Sequence, residues 1–248
     1  MSTSGVYTYS ATQGTIIQAA LRKINVVGDF ETLTTSDNRY VAAQIALNPL
    51  IKQYMAYGMP VWAITEQLIP FSTTGFLTAS GVSIGLTGQT VNSVAPLKVV
   101  QALRVDNISN ITVPMNIYTY EDYEILNNKF STNAPVHLFY QPFRNSGALH
   151  VWPMPDSTYW QVNGSLYIRY QRPFQDFTQD SDEMDFPIEW NKVLIYGLAY
   201  DLSGEYGVDP SVRQVLKADR DEALETILMW GNEEGSFLMQ PRQTPGRW

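Results

Sequence analysis

The chain of 248 residues has no cysteine and only two histidines, His137 and His150. Disulfides and thiolate metal sites are thereby excluded, and the composition fits synthesis in a reducing cytoplasm. Charge is also scarce: 16% of residues are charged, and the formal net charge is −8. A protein that grips DNA through its phosphates needs a basic stripe, and the sequence displays none. Genomic DNA passing an acidic or neutral wall without specific binding is compatible with that balance. No apolar run approaches the roughly 20 residues of a bilayer span, so no membrane partner is expected. No basic stretch followed by an apolar core opens the chain, so no secretory signal is expected. There is no internal repeat.

What the chain does have is aromatic surface chemistry. Its 15 Tyr and 6 Trp accompany an ordinary hydrophobic content of 44%. Aromatic side chains on a surface short of charge suit contact with protein partners, the plainer alternative being an aromatic-rich core.

The stretch from Asp180 to Trp230 organises the reading: an acidic loop runs into two helices joined by a Gly/Asp/Pro turn. Asp185 is placed to cap the first helix, Pro187 suits its first turn, and Glu189 complements its dipole. Val193 to Tyr200 contains no polar residue, which predicts a helix covered on several sides. Gly197 is expected to admit another backbone. Asp209-Pro210 starts the second helix, with Val212, Leu216, Ala223, Ile227 and Trp230 near one face and Val215, Leu224 and Leu228 widening it. Lys217 and Asp221 form an i,i+4 pair.

Upstream, the capping-box pattern Ser10 to Gln13 predicts a helix over about 12–25. A second helix is expected from Ser36 or Asp37 to about Tyr57, kinked or divided by Pro49. Strands are expected over Val61–Phe71, Leu97–Val105 and Trp160–Tyr170, the last with a turn or bulge at Asn163-Gly164. Residues 73–94, rich in Gly, Ser and Thr, read as a long exposed loop or hairpin. Thr119 opens a short acidic helix, and Pro135–Phe143 with Ala148–Trp152 reads as a hairpin around Asn145–Gly147. The tail from Gly231 has no periodicity and reads as an extended arm.

The pattern is therefore α+β: a helical bundle of N- and C-terminal helices with a central β-rich insertion. Its parts are 1–59, N-terminal helices; 60–175, β-rich insertion; 176–231, C-terminal helical hairpin; and 232–248, extended arm.

Reactive motifs are thin. His137 and His150 have no third ligand at useful spacing, so no metal or cofactor is expected. Gly81 to Gly88 lacks the Lys-Ser/Thr ending of a phosphate loop. Two carboxylates suffice for glycan hydrolysis, and Glu121 with Asp182 is the candidate pair for a peptidoglycan hydrolase. The competing reading of both acidic clusters is solvated acids at helix N-termini.

One ordered series resembles a known family. Gly147-Ala-Leu-His-Val-Trp-Pro-Met-Pro-Asp156 is followed by Tyr170-Gln-Arg-Pro173 and an acidic linker. Phe186-Pro-Ile-Glu-Trp190 and Leu198-Ala-Tyr-Asp-Leu-Ser-Gly-Glu-Tyr-Gly207 come next. The series is similar to the head-to-tail adaptor proteins of short-tailed bacteriophages, of the tail accessory or packaged-DNA stabilisation type. The resemblance implies a non-catalytic structural protein of the virion neck, assembled in the bacterial host cytoplasm. It implies a homo-oligomeric, dodecameric ring beneath the portal protein, joined to a tail tube or nozzle protein and retaining packaged DNA. On that reading Phe237, Leu238, Arg242, Arg247 and Trp248 are the expected portal-docking residues. Trp190, Tyr196, Tyr200 and Tyr206 are the expected subunit-packing residues.

Overall fold

The computed structural model describes residues 10–231, apart from 29, 56–62, 79 and 186, with the backbone alone at Trp230 and Gly231. The expected boundary at 59/60 and the arm 232–248 lie outside the described residues. The helices are α1 (Gln13–Lys23), α2 (Asn38–Tyr54), α3 (Thr74–Leu77), α4 (Tyr120–Glu124), α5 (Trp160–Asn163), α6 (Asn191–Glu205) and α7 (Pro210–Gly231). The strands are β1 (Ile64–Pro70), β2 (Val82–Gly85), β3 (Val91–Asn92), β4 (Lys98–Asp106) and β5 (Ile111–Tyr118). They continue as β6 (Thr132–Asn133), β7 (His137–Pro142), β8 (Ser146–Trp152), β9 (Met154–Pro155) and β10 (Gly164–Gln171).

Thr12 and Thr15 form the capping box of α1, two residues beyond the expected Ser10 start: each accepts from the other's backbone N–H. This satisfies two donors that a helix start leaves open. Ile16, Ile17, Ala20 and Leu21 then recur at helical spacing and are fully buried. Asp37 caps α2 by accepting from Arg39 N at 2.8 Å. Pro49 does not divide α2, which runs on to Tyr54. The proline is exposed, so the amide it lacks is missing from the solvent side. Asp185 does not cap α6. A 3₁₀ turn, Ile188–Trp190, leads into that helix, and Asp185 pairs with Arg172 instead.

Eight strands form one sheet in the order β1-β10-β4-β5-β7-β8-β2-β3; β6 and β9 form a separate parallel pair. The β5–β7 and β2–β3 pairings are parallel and the rest antiparallel. Register sets one face: Ile168 lies opposite Ala102, and Ala102 opposite Met115. Residues directly opposite point the same way, so these three join Val99, Leu166, Tyr170, Leu138 and Leu149 in one hydrophobic cluster. A second cluster is built from α1, α2, α6 and α7, around Leu21, Leu47, Ile51, Val193, Leu194 and Leu198.

The expectation of a helical bundle with a β-rich insertion is corrected. The chain is mixed α/β, and its eight-stranded sheet is a principal framework with a core of its own. Two local features account for the difference. Residues 73–94 are not an exposed loop: they contain α3, β2 and β3, and bury Phe76, Val82 and Ile84. Strand β5 was not anticipated at all: Ile111, Val113, Met115 and Ile117 alternate, but Pro114 inside the run argues against a strand.

Polar contacts join the segments between the two clusters. Arg172 N donates to Ala63 O at 2.8 Å, and its guanidinium holds Asp185 through bonds of 2.5 and 2.7 Å. Asn48 exchanges two 3.0 Å bonds with the backbone of Phe177. Lys52 donates to Phe174 O at 2.9 Å.

Candidate interaction surfaces

α6 is the innermost helix, packing against α1, α2 and α7. Its sequence supplies buried Val193, Leu194, Gly197, Leu198, Ala199 and Leu202 around most of its circumference. Gly197 makes room for a side chain, not for a backbone. A β-carbon there would collide with the Tyr54 hydroxyl and stand 3.2 Å from Leu50 Cδ2. The helix ends when Gly207 takes φ +63° and Val208 N donates back to Ser203 O at 3.0 Å. This is a Schellman closure, which needs the left-handed conformation that glycine adopts without strain.

The four aromatic residues expected to pack between subunits separate into two environments. Trp190 is 2% exposed and lies edge-on to Tyr54, ring centroids 5.9 Å apart, so it is a core residue of its own chain. Tyr196, Tyr200 and Tyr206 are half-buried at the margin of the helical cluster. Burial pushes the Tyr206 hydroxyl pKa up, with the neighbouring Glu205 charge adding to it. Phe237, Leu238, Arg242, Arg247 and Trp248 lie outside the described residues.

α7 is only partly covered. Leu216, Ala223, Leu224 and Ile227 are buried and Leu228 packs against the cluster, so Leu224 and Leu228 widen the apolar face as expected, whereas Val212 and Val215 are 40% and 59% exposed. Asp221 pairs with Arg220 at 2.7 Å, not with Lys217.

The acidic candidates fall in different places. Glu121 is exposed on α4, which packs on β5 and β7. Asp182 belongs to the linker beside α1, where its backbone carbonyl accepts from Gln13 N at 3.0 Å. The Asp182 carboxylate accepts from Thr178 N at 2.7 Å, Thr178 Oγ1 at 2.8 Å and Gln179 N at 2.8 Å. These bonds, led by the Thr178 backbone, hold its pKa below the usual value. The carboxylate is therefore charged at neutral pH and already engaged as an acceptor.

The histidines lie among aromatic rings on the sheet face turned away from the buried cluster. His137 stacks on Tyr118 with centroids 4.1 Å apart, and His150 lies 5.7 Å from Phe139. Burial keeps the His137 imidazole below its ordinary pKa, so it is neutral at pH 7. Among the described residues no group of three His, Asp or Glu side chains is placed to hold a metal ion. No described helix is long and apolar enough to cross a membrane.

Cations take a more orderly arrangement than the sequence suggested. Lys192, Tyr196 and Tyr200 follow at i, i+4 and i+8 along α6, and cations from α1 and α7 reach the same two rings. The sequence signal was the four-residue spacing, but contributions from α1 and α7 required the tertiary arrangement. No protein-family model matches the chain, and no curated protein matches its sequence.

Proposed function

We propose that the chain is a non-catalytic virion protein, a head-to-tail adaptor that forms a ring beneath the portal and joins it to the tail. The observation that carries this reading is the ordered series of motifs from Gly147 to Gly207. In the structure those residues hold the fold of the single chain. Gly147 leaves room for the Tyr140 ring, where a β-carbon would collide. Tyr170 is fully buried and its hydroxyl bonds Ser93 Oγ at 2.7 Å. Arg172 clamps Asp185, Trp190 fills the helical core, and Gly207 closes α6.

The partners on this reading are the portal, a tail tube or nozzle protein and further copies of the chain, with DNA passing unbound. Cryo-electron microscopy of purified particles tests it. Density for this chain is expected as a ring between portal and tail. Particles whose neck is fully accounted for by other chains would overturn the reading.

A further inference from the structure

Cations gather on one side of the helical core of a chain whose net charge is −8. Lys192, Tyr196 and Tyr200 stand in line on α6 because every fourth residue returns to nearly the same side of a helix. Lys23, in the last turn of α1, brings Nζ within 5.0 Å of the Tyr196 centroid, and Lys192 comes within 5.7 Å. Arg213 and Arg220 of α7 place their guanidinium carbons 5.1 and 4.7 Å from the Tyr200 centroid. Beside them Arg213, Lys217, Gln214 and Ser203 help to line an open cleft of about 390 Å³. Arg220 pairs with Asp221, and the field of Arg213 and Arg220 reaches Asp201. Among the described residues Lys23, Lys192, Arg213 and Lys217 make no ion pair.

The complementary surface lies in the same sequence. Asp176, Asp180, Asp182, Glu183 and Asp185 crowd into the linker before α6; Asp176 pairs with Lys52 at 2.6 Å and Asp185 with Arg172, which leaves Asp180, Asp182 and Glu183 without an ion pair among the described residues. Asp176, Asp182 and Glu183 help to line a second cleft, of about 410 Å³. This linker is fastened to the start of α1, through Gln13 N to Asp182 O at 3.0 Å and Gly14 N to Asp180 O at 3.1 Å. Lys23 stands at the other end of that eleven-residue helix. At about 1.5 Å per residue the separation is about 16 Å, beyond the Debye length of about 8 Å at physiological ionic strength. Lys23 is therefore largely screened from the acidic linker of its own molecule.

We propose that the cation–tyrosine strip of one copy receives the acidic linker of the next copy of this chain. The two surfaces differ, so the contact is head-to-tail and repeats from copy to copy, closing into a ring if the rotation permits. This deepens the ring reading above and rests on it. Local charge complementarity selects the occupant: the linker of a second copy supplies carboxylates at the scale of the strip.

Two full-length variants test the contact. One carries Lys23→Glu, Lys192→Glu and Lys217→Glu; the other carries Asp176→Lys and Glu183→Lys. All five positions are exposed, and circular dichroism melts check that both variants fold. Sedimentation velocity at low ionic strength is expected to show self-association of the wild type that weakens as salt is added. Each variant alone should associate about tenfold or more weakly, and an equimolar mixture should recover, because reversed strip then meets reversed linker. A monomeric wild type, variants that associate like it, or a mixture no better than its parts would overturn the proposal. So would a wild type that binds labelled single-stranded DNA through this strip, measured by loss of binding in the strip variant. Self-association that persists in a protein absent from the neck would defeat the adaptor reading and leave this contact standing.

Discussion

Gly197 and Asp185 show how single residues fix the helical core. Gly197 sits where the buried Tyr54 ring crosses α6, and that ring also packs on Trp190. A Gly197→Ala change would gain about 1 kcal/mol of helix propensity but force overpacking costing about 1–3 kcal/mol. The net expectation is a loss of up to about 2 kcal/mol, read as a lower urea midpoint with an unchanged slope. Asp185 poses an electrostatic case. Burial raises its pKa, but the bonds from Arg172 and Gln175 N and the nearby positive charges win, and the folded value lies below the ordinary one. Its stabilisation is therefore complete above the unfolded pKa of about 3.9 and is lost as pH falls through the folded value. With side chains only 20% and 18% exposed, the Arg172–Asp185 pair is partly shielded from solvent. Asp185→Asn should cost about 2 kcal/mol at pH 7. Urea unfolding at pH 7 and again near pH 3 checks this: the gap between variant and wild type should narrow in acid.

At the scale of elements, local chemistry was legible and long-range pairing was not. Asp37 and Asp209 stand at helix starts that the sequence marks, Thr12 caps α1 where Ser10 is expected, and the apolar spacing after them places α1, α2 and α7. The end of α6 was legible too, in the Gly/Asp/Pro turn that begins at Gly207. Gly207→Ala should cost about 1 kcal/mol by forcing a β-carbon into the left-handed region, measurable as a lower melting temperature. Strands fared differently. Val82–Gly85 is a strand because it pairs with β8, some sixty residues later. Its Gly/Ser/Thr setting reads as a loop until that partner is known. Pro114 is tolerated in β5 opposite Leu103, although a proline ordinarily argues against an interior strand. The fold class was misjudged for the same reason, since continuity of a sheet is a property of pairings. Of the candidate surfaces, the tyrosine spacing on α6 was legible. The burial of Trp190 was not, because a partner-facing tryptophan and a core tryptophan read alike.

For the whole molecule the adaptor proposal assigns portal docking to the arm that contains Phe237, Leu238 and Trp248. Deleting residues 235–248 should abolish co-sedimentation with portal rings while leaving the melting curve of the remainder unchanged. Normal co-sedimentation of the truncated protein would show that docking uses another surface. The helical cluster draws α1 and α2 from the front of the chain and α6 and α7 from the back, with the large sheet spelled out between them. On the ribosome, α1 and α2 emerge roughly 140 residues before α6, and at about 5–20 residues per second their apolar faces wait on the order of ten seconds or more for cover. The nascent protein thus completes its sheet while an earlier-made half-core stands open, a window in which a holding chaperone would find its client.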